Sequence, residues 1–163
     1  MSSGQSQSLA FKVHDHEVCS TQALETAEEY CDKYQLKLTP VRRKVLEILL
    51  KEHRAIGAYA ILDFLKELGF RSQPTVAYRA LDFLVEHGFA HKIQKLNAFI
   101  ACTHPGHDHS PAFMICRQCE TVAETQIEAK GFNLSIDQKS LGFKIEQTVI
   151  EAEGLCHLCT EIT

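Results

Sequence analysis

The residues of this sequence with the clearest chemistry are two pairs of cysteines with two residues between the thiols of each pair. Cys116 and Cys119 form the first pair, Cys156 and Cys159 form the second, and 36 residues lie between the pairs. A C-x-x-C spacing lets both thiolates reach one ion from a tight turn, and two pairs complete the tetrahedral sulfur shell that zinc prefers in structural sites. A redox motif would need only one reactive pair, so the duplication favours a zinc site that joins two distant strands.

A second set of potential ligands lies between the two halves of the chain. His91, Cys102 and Glu124 flank a loop over residues 103–111, which contains His104, His107, Asp108 and His109. If one loop histidine converges with His91, Cys102 and Glu124, the shell has one thiolate, two imidazoles and one carboxylate. The thiolate favours zinc over ferrous iron or manganese, which accept shells of nitrogen and oxygen alone. The alternative is a surface histidine and a buried cysteine without ligand roles.

A third set, His14, Asp15, His16 and Cys19, lies in a polar segment at the N-terminus. Residues 1–19 are rich in Ser and Gln, which favours a flexible extension. We therefore prefer a solvated tail to a metal site here.

The composition is that of an ordinary globular chain of one domain or two small ones. Of 163 residues, 45% are hydrophobic and 23% are charged, and no apolar run approaches the roughly 18 residues of a membrane span. We see no secretory signal. Seven cysteines without an export signal predict a reducing cytoplasm, where thiols bind metal or stay free.

The charge is unevenly distributed along the chain. The formal net charge is −4, but residues 33–95 carry 12 Lys and Arg against 6 Asp and Glu, a net of +6. Residues 1–32 and residues 96–163 carry −5 each. A basic middle between acidic ends indicates one module that faces a polyanion.

Apolar residues at helical spacing predict four helices, over residues 21–34, 40–51, 58–68 and 74–87. Thr39 is a good N-cap and Pro40 suits the first helical position. Thr21 is a possible cap of the first helix, and Gly69 ends the third.

After Gly88 the period changes to two, which predicts strands over residues 90–94 and 98–102. This is the layout of a winged helix-turn-helix, with 74–87 as recognition helix and 90–102 as wing. The alternative is a small α+β core that does not bind DNA.

The second half of the chain is predicted to be a small sheet with one helix, so the fold class is α+β. Strands are expected over residues 112–115, 121–125 and 143–150, and a helix over 127–141. The Pro and Gly content of the loop 103–111 marks a boundary. We therefore divide the chain into a flexible extension (1–19), a winged-helix DNA-binding domain (20–102), a hinge loop with metal ligands (103–111) and a second domain (112–163).

Several motifs resemble the ferric uptake regulator (Fur) superfamily, and the resemblance runs from about residue 20 to the C-terminus. They are Leu38-Thr39-Pro40-x-Arg42, Tyr78-Arg79-Ala80-Leu81 and an H-x-H before Cys116-x-x-Cys119. The stretches Tyr78–Leu84, Gly88–Lys92 and Val149–Cys156 are similar to its zinc uptake regulator (Zur) branch. Members are dimeric, metal-activated repressors with an N-terminal winged helix, which implies that residues 112–163 are a dimerisation and metal-binding domain.

The resemblance also implies roles for the candidate ligands. His91, Cys102, His109 and Glu124 would be the sensing zinc site, and the four cysteines at 116, 119, 156 and 159 the structural one. Two departures stand out. Thr75 lies one position earlier than the family's Thr-Val-Tyr-Arg has it, which leaves open a cap or phosphate contact. Ala55 and Thr148 stand where iron-sensing members often carry histidine.

These observations predict a zinc-responsive repressor of zinc-uptake genes that holds about two zinc ions per chain and binds a palindromic DNA operator as a homodimer. We expect Tyr78 and Arg79 to contact bases in the major groove. Residues expected to contact phosphates are Tyr59, Arg42, Arg43 and Lys92; the alternative for the basic ones is a solvated face. The rival functions are an iron- or peroxide-sensing repressor of the same family, a zinc hydrolase with Glu124 as general base, and a zinc-buffering or structural protein.

Overall fold

The computed structural model describes residues 16–51, 54–71, 73–106, 109–126, 140–146 and 148–161. Four helices come first: α1 (His16–Lys33), α2 (Pro40–Leu50), α3 (Ala58–Glu67) and α4 (Pro74–Glu86). The strands are β1 (Ala90–Ile93), β2 (Ala98–Ala101), β3 (Pro111–Cys116), β4 (Val122–Gln126) and β5 (Ile150–Gly154), and the short helix α5 (His157–Thr160) follows. The predicted α+β class is confirmed. None of the helices in the described ranges is both long and apolar enough to span a bilayer.

The helix boundaries follow the capping signals with one exception. At α2 the hydroxyl of Thr39 accepts a hydrogen bond from the N–H of Arg42 at 3.4 Å, and Pro40 takes the first helical position. The prediction that Thr21 caps α1 is wrong, because the helix begins at His16. No proline or glycine separates the two positions, so nothing in the backbone stops the helix at Thr21.

Helices α1 to α4 pack around one apolar core. Its largest fully buried side chains include Leu46 and Leu49 of α2, Ile61 of α3, and Leu81 and Leu84 of α4. The side of α4 that faces the core is buried at Ala77, Leu81 and Leu84. On the opposite side of the helix, Tyr78, Arg79, Asp82 and Glu86 are exposed, as the period requires.

Strands β1 and β2 form the predicted hairpin, which we call the wing. They pair antiparallel from Ala90 with Ala101 to Ile93 with Ala98. The connecting residues 94–97 are the wing turn, and Asn97 takes a φ of 47° there, a left-handed conformation that asparagine tolerates better than most residues.

The remaining strands form a separate sheet in the order β4-β3-β5, which we call the C-terminal sheet. β3 pairs antiparallel with β4 and parallel with β5, and Cys116 lies opposite Gly154. Both C-x-x-C turns therefore leave the sheet at the same end. The two cysteine pairs therefore meet at the ends of two neighbouring strands, and the zinc ion that would join them stays a prediction.

The prediction of a strand over residues 143–150 is wrong, because the strand begins at Ile150 and ends at Gly154. The alternating pattern before Ile150 has the strand period, but β3 begins at Pro111 and its Ala112 pairs with Ile150, so earlier residues have almost no β3 backbone to pair with. The observed register places the acidic segment Ile150–Gly154 beside β3 instead. The helix expected over 127–141 lies largely outside the described residues.

The wing packs directly on the C-terminal sheet. Ile93 and Ile100 of the wing share a buried cluster with Phe113, Ile115 and Val122 of the sheet. This packing brings the base of the wing and the start of the loop next to β4. Ligands from three separate stretches of sequence can therefore meet at one point.

Candidate metal centres and nucleic-acid interface

The four cysteine thiols at 116, 119, 156 and 159 form one group, which we call the four-cysteine group. Their sulfur atoms all lie within 4.8 Å of one another, and Sγ of Cys119 lies 3.7 Å from Sγ of Cys156. Zn–S bonds of about 2.3 Å at the tetrahedral angle put neighbouring sulfurs about 3.8 Å apart. The size of the group therefore suits a zinc ion.

Backbone N–H groups in the two turns prepare some of these thiols to ionise. Hydrogen bonds from the N–H groups of Cys119 and Cys156 lower the pKa of Cys116 to about 6, and the N–H of Cys156 lies 3.4 Å from that sulfur. The hydroxyl and N–H of Thr121 lower the pKa of Cys119. Burial and hydrogen bonds to the other thiols raise the pKa of Cys159 to about 12. Zinc binds the thiolate form of cysteine. The lowered pKa values of Cys116 and Cys119 therefore suit a closed metal shell.

The second group, the mixed-ligand group, consists of His91, Cys102, His109 and Glu124. One ligand atom from each lies within 4.8 Å of all the others. Each residue comes from a different place: β1, the end of the wing, the loop just before β3 and the middle of β4. This convergence is the most informative feature of the structure.

The distances from the Cys102 sulfur to two other ligands of the mixed-ligand group suit a tetrahedral ion of zinc size. Sγ of Cys102 lies 3.6 Å from Nε2 of His109 and 3.8 Å from Oε1 of Glu124, near the edge of about 3.6 Å expected when Zn–S is 2.3 Å and Zn–N or Zn–O is about 2.1 Å. Nε2 of His109 lies 2.7 Å from Oε1 of Glu124, a hydrogen-bond distance. In the part of the chain that the structure describes, Nε2 of His91 is the one buried side-chain nitrogen or oxygen without a well-oriented hydrogen bond, although Oε1 of Glu124 lies 3.2 Å away. A buried imidazole nitrogen of this kind is suited to a metal ligand.

The carboxylate of Glu124 is oriented by the loop. Its Oε2 accepts hydrogen bonds from the N–H of Thr103 at 2.8 Å and from the hydroxyl of the same residue at 3.0 Å. This leaves Oε1 directed at the other ligands, 3.2 Å from Nε2 of His91. Burial opposes ionisation of Glu124, but the adjacent His91 imidazole and the Thr103 N–H outweigh it and lower its pKa to about 2. Burial and the charge of Glu124 raise the pKa of Cys102.

Among the described residues of the loop, His109 is the histidine that lies in the mixed-ligand group. His104 instead has Nδ1 2.9 Å from the hydroxyl of Thr103. His107, Asp108, His14 and Asp15 lie outside the described residues, as do the side chains of His16 and Cys19. Ala55 packs against the cluster between wing and sheet, where it supplies no ligand.

The residues predicted to contact DNA divide into two kinds. Tyr59 on α3 is 71% exposed and Tyr78 on α4 is 43% exposed, and Arg79 and Lys92 are exposed as well. Arg42 instead lies 3.7 Å above the ring of Phe83 and donates a hydrogen bond to a backbone carbonyl of residue 37. Arg43 pairs with Glu28 and Glu47.

The N-terminus of α4 answers the question of a cap at the displaced threonine, while a phosphate contact there stays a prediction. Gln73 is the N-cap and makes no side-chain cap hydrogen bond. Thr75 lies beyond it and is exposed. Thr75 therefore does not cap the recognition helix.

Two residues that contact the mixed-ligand group or the wing were missed by sequence reasoning. Thr103 holds Glu124, and Glu151 contacts the wing turn. Glu151 lies in the Val149–Cys156 stretch, but that resemblance does not indicate its contact, and both residues act through contacts between distant segments. A single sequence carries no signal for them.

The fold and both ligand groups are those of a metal-dependent regulator with a winged helix. Residues 33–152 match the ferric uptake regulator family, and the chain belongs to that family. It is 37% identical over 140 residues to the zinc uptake regulation protein of Escherichia coli (strain K12), covering 85% of this chain and 82% of the relative. The predicted resemblance is confirmed.

Solved structures of zinc uptake regulators agree with this relation. A zinc uptake regulator complexed with zinc and DNA is 36% identical and superposes with a TM-score of 0.82, covering 88% of this chain and 96% of that chain. The holo form of the regulator XcZur is 35% identical with a TM-score of 0.77, over 86% of this chain and 98% of that one. Its apo form is 36% identical, covering 88% of this chain and 99% of that one, but it superposes with a TM-score of 0.51. Since the identities are nearly equal, the difference reflects conformation, and the arrangement seen here is close to the holo form.

Proposed function

We propose that this chain is a zinc-responsive, DNA-binding transcriptional regulator that represses zinc-uptake genes when it is loaded with zinc. The observation that carries the proposal is the mixed-ligand group, whose donors come from the wing, the loop and the C-terminal sheet. An ion held by these donors joins the wing to the sheet. The relatives named as zinc uptake regulators support zinc as the ion and DNA as the partner.

The two ligand groups have different roles in this proposal. The four-cysteine group holds a structural zinc that ties the two C-x-x-C turns together. The mixed-ligand group holds the sensed zinc through His91, Cys102, His109 and Glu124. The chain would then bind about two zinc ions. Cys102 favours zinc over iron because thiolate is a soft ligand, and Ala55 and Thr148 offer no imidazole to an iron-type site.

Zinc would act by selecting one arrangement of the winged helix. A ligand shifts an equilibrium only when it binds one state better than the other. The mixed-ligand donors meet only when the wing lies on the C-terminal sheet, so zinc favours that arrangement. In a homodimer, which is the form we propose in the cytoplasm, this fixes the spacing of two recognition helices on a palindromic operator.

The DNA contacts follow from exposure and charge. The exposed side chains of Tyr78 and Arg79 on α4 are proposed to contact bases, and an arginine can hold guanine through two hydrogen bonds. Tyr59 and Lys92 are proposed to contact phosphates. Arg42 and Arg43 would need to exchange their partners within the protein for phosphates. In this scheme residues 20–102 bind DNA, 103–111 are the hinge, and 112–163 form the dimer.

The closed set of ligands favours a regulator over a hydrolase. A catalytic zinc site keeps one position for water beside three protein ligands, whereas four protein donors meet here. Glu124 is also held by Thr103 and directed at the other ligands, which suits a ligand better than a general base. A zinc-dependent activity on a panel of esters would revive the hydrolase alternative.

The proposal is tested by metal analysis together with a DNA shift assay. The purified protein should contain tightly held zinc after mild chelation. Operator DNA should shift when zinc is added back and not under the chelator. Metal-independent shifts of equal affinity would contradict zinc-responsive binding, and failure to prefer operator over random DNA would contradict a specific regulator.

A further inference from the structure

One row of residues across the C-terminal sheet faces the wing with a carboxylate at each end. Phe113 on the central strand lies opposite Glu124 on β4 and opposite Glu151 on β5. Directly opposite residues project from the same face of a sheet. The ring of Phe113 lies 5.3 Å from the ring of His91 on the wing, so this face is the one that the wing covers.

The carboxylate of Glu151 holds the wing turn. Its Oε1 accepts a hydrogen bond from the N–H of Gln94 at 2.6 Å, and its Oε2 accepts one from the N–H of Lys95 at 2.9 Å. Strand pairing in the wing ends at Ile93 and Ala98, so the ladder does not use these two donors. A carboxylate that receives two consecutive N–H groups makes strong, charge-assisted hydrogen bonds.

The two carboxylates thus contact opposite ends of the same wing strand. Glu124 lies beside His91 at the start of β1, and Glu151 binds the residues just after Ile93. Two steps across a sheet span about 10 Å, and three residues of a strand advance about 10 Å. Strand β1 therefore crosses the sheet with one carboxylate at each end and the apolar cluster of Ile93 and Phe113 between them.

We propose that Glu151 is a positioning residue that holds the wing on the C-terminal sheet without metal, in the arrangement that brings His91 and Cys102 to Glu124. This inference rests on the proposed function, because it assigns Glu151 a part in zinc sensing. Glu151 touches neither the zinc ligands nor the DNA-facing side of α4. Its carboxylate lowers the free energy of the closed arrangement, and zinc and operator both bind more tightly as a result.

Glu153, two residues further along β5, provides a matched control. Its Oε2 lies 3.1 Å from Nζ of Lys95, but the two side chains are 41% and 54% exposed. Exposed ion pairs of this kind contribute little. Glu153→Gln removes the same charge from the same strand while it leaves the wing-turn amides bound to Glu151.

The test compares Glu151→Gln with Glu153→Gln in the full chain with its structural zinc. In Glu151→Gln the side-chain amide has only one oxygen to accept from the two N–H groups of the wing turn. Its NH₂ group, which is itself a donor, then faces the second N–H group. We expect faster hydrogen exchange at the amides of Gln94 and Lys95, and about tenfold weaker binding of both the second zinc and the zinc-loaded operator. Glu153→Gln should leave the amide exchange and zinc affinity unchanged, and loss of its negative charge should not weaken DNA binding.

The arms of the experiment separate the two proposals. Unchanged amide exchange in Glu151→Gln overturns the contact, and faster exchange with unchanged zinc affinity overturns its part in sensing. Equal losses in both variants would show a general charge effect and overturn the specific role of Glu151. If the unsubstituted protein itself shows no zinc-dependent operator binding, the proposed function fails, while the exchange and zinc measurements still decide the role of Glu151. Retention of structural zinc by each variant verifies that it is folded.

Discussion

At the scale of single residues, the two ligand groups differ in what surrounds their donors. The sulfur of Cys116 receives N–H groups from its own turn and from Cys156 in the facing C-x-x-C turn, so the two turns together organise the shell. In the mixed-ligand group, Glu124 is oriented by Thr103 of the loop and lies beside His91 of the wing. The first group is organised by the two turns that carry its cysteines, and the second depends on how the wing, the loop and the C-terminal sheet are arranged. This contrast suits a structural ion and a sensed ion.

Removal of one thiol from the four-cysteine group should unfold the C-terminal sheet. We predict that Cys119→Ser loses the tightly held zinc, because a closed shell then lacks one of its ligands and metal binding is coupled to folding. Metal content after mild chelation and the far-ultraviolet circular dichroism check this. A Cys119→Ser protein that retains the tight zinc and a folded dimer would remove Cys119 from the structural site.

The exposed arginine of α4 should carry much of the specificity for operator DNA. We predict that Arg79→Ala reduces the preference for operator over random DNA by roughly 1–3 kcal/mol, the range for a bidentate base contact, with unchanged zinc content. Arg117→Ala is the control, since it removes an exposed positive charge from the turn that follows β3. If Arg79→Ala discriminates as well as the unsubstituted protein, the recognition surface is misassigned.

At the scale of elements, the sequence predicted what depends on local chemistry. The period of apolar residues and the Thr39-Pro40 signal predicted α2 to within a residue of its ends, and the C-x-x-C spacing predicted the four-cysteine group. The position of β5 could not be predicted, because it depends on parallel pairing with β3 and on the meeting of Cys156 with Cys116. Nor could spacing alone choose His109 from the loop; that assignment came from family resemblance. Glu151 escaped notice because its partners are backbone amides of a distant turn.

The capping interpretation can be tested with two threonines at two helix starts. Thr39→Ala should lower the free energy of unfolding by about 1 kcal/mol, the usual effect of losing an N-cap hydroxyl. Thr75→Ala should change it by less than about 0.5 kcal/mol, as is usual for exposed positions, because Thr75 makes no cap. Urea titrations of the zinc-loaded proteins measure both values. Equal destabilisation by the two substitutions would contradict the assignment of the caps.

At the scale of the whole molecule, the positive charge and the C-terminal sheet that holds the wing lie in different parts of one chain. The overall charge is −4, yet residues 33–95 carry a net charge of +6 and include α2, α3 and α4. The acidic C-terminal sheet holds the wing through carboxylates. In the proposed function, the basic segment binds DNA and the C-terminal sheet sets the orientation of that segment.

The local positive charge should make operator binding sensitive to salt. Each phosphate that a cationic side chain neutralises releases counterions, so the logarithm of the association constant falls linearly with the logarithm of salt concentration. We predict a clear negative slope for the zinc-loaded protein, and a smaller slope for Lys92→Ala if that residue contacts a phosphate. A slope near zero would show that the basic segment does not face the DNA backbone.

The most direct test of the central claim is operator affinity as a function of free zinc, measured for the unsubstituted protein and for Cys102→Ser. Serine removes the thiolate from the mixed-ligand group and leaves the four-cysteine group intact. We predict that Cys102→Ser folds, forms the dimer and keeps one zinc per chain, but binds operator poorly even in excess zinc, because the second ion no longer favours the DNA-competent arrangement. Zinc-dependent operator binding equal to that of the unsubstituted protein would contradict the claim that zinc acts through Cys102.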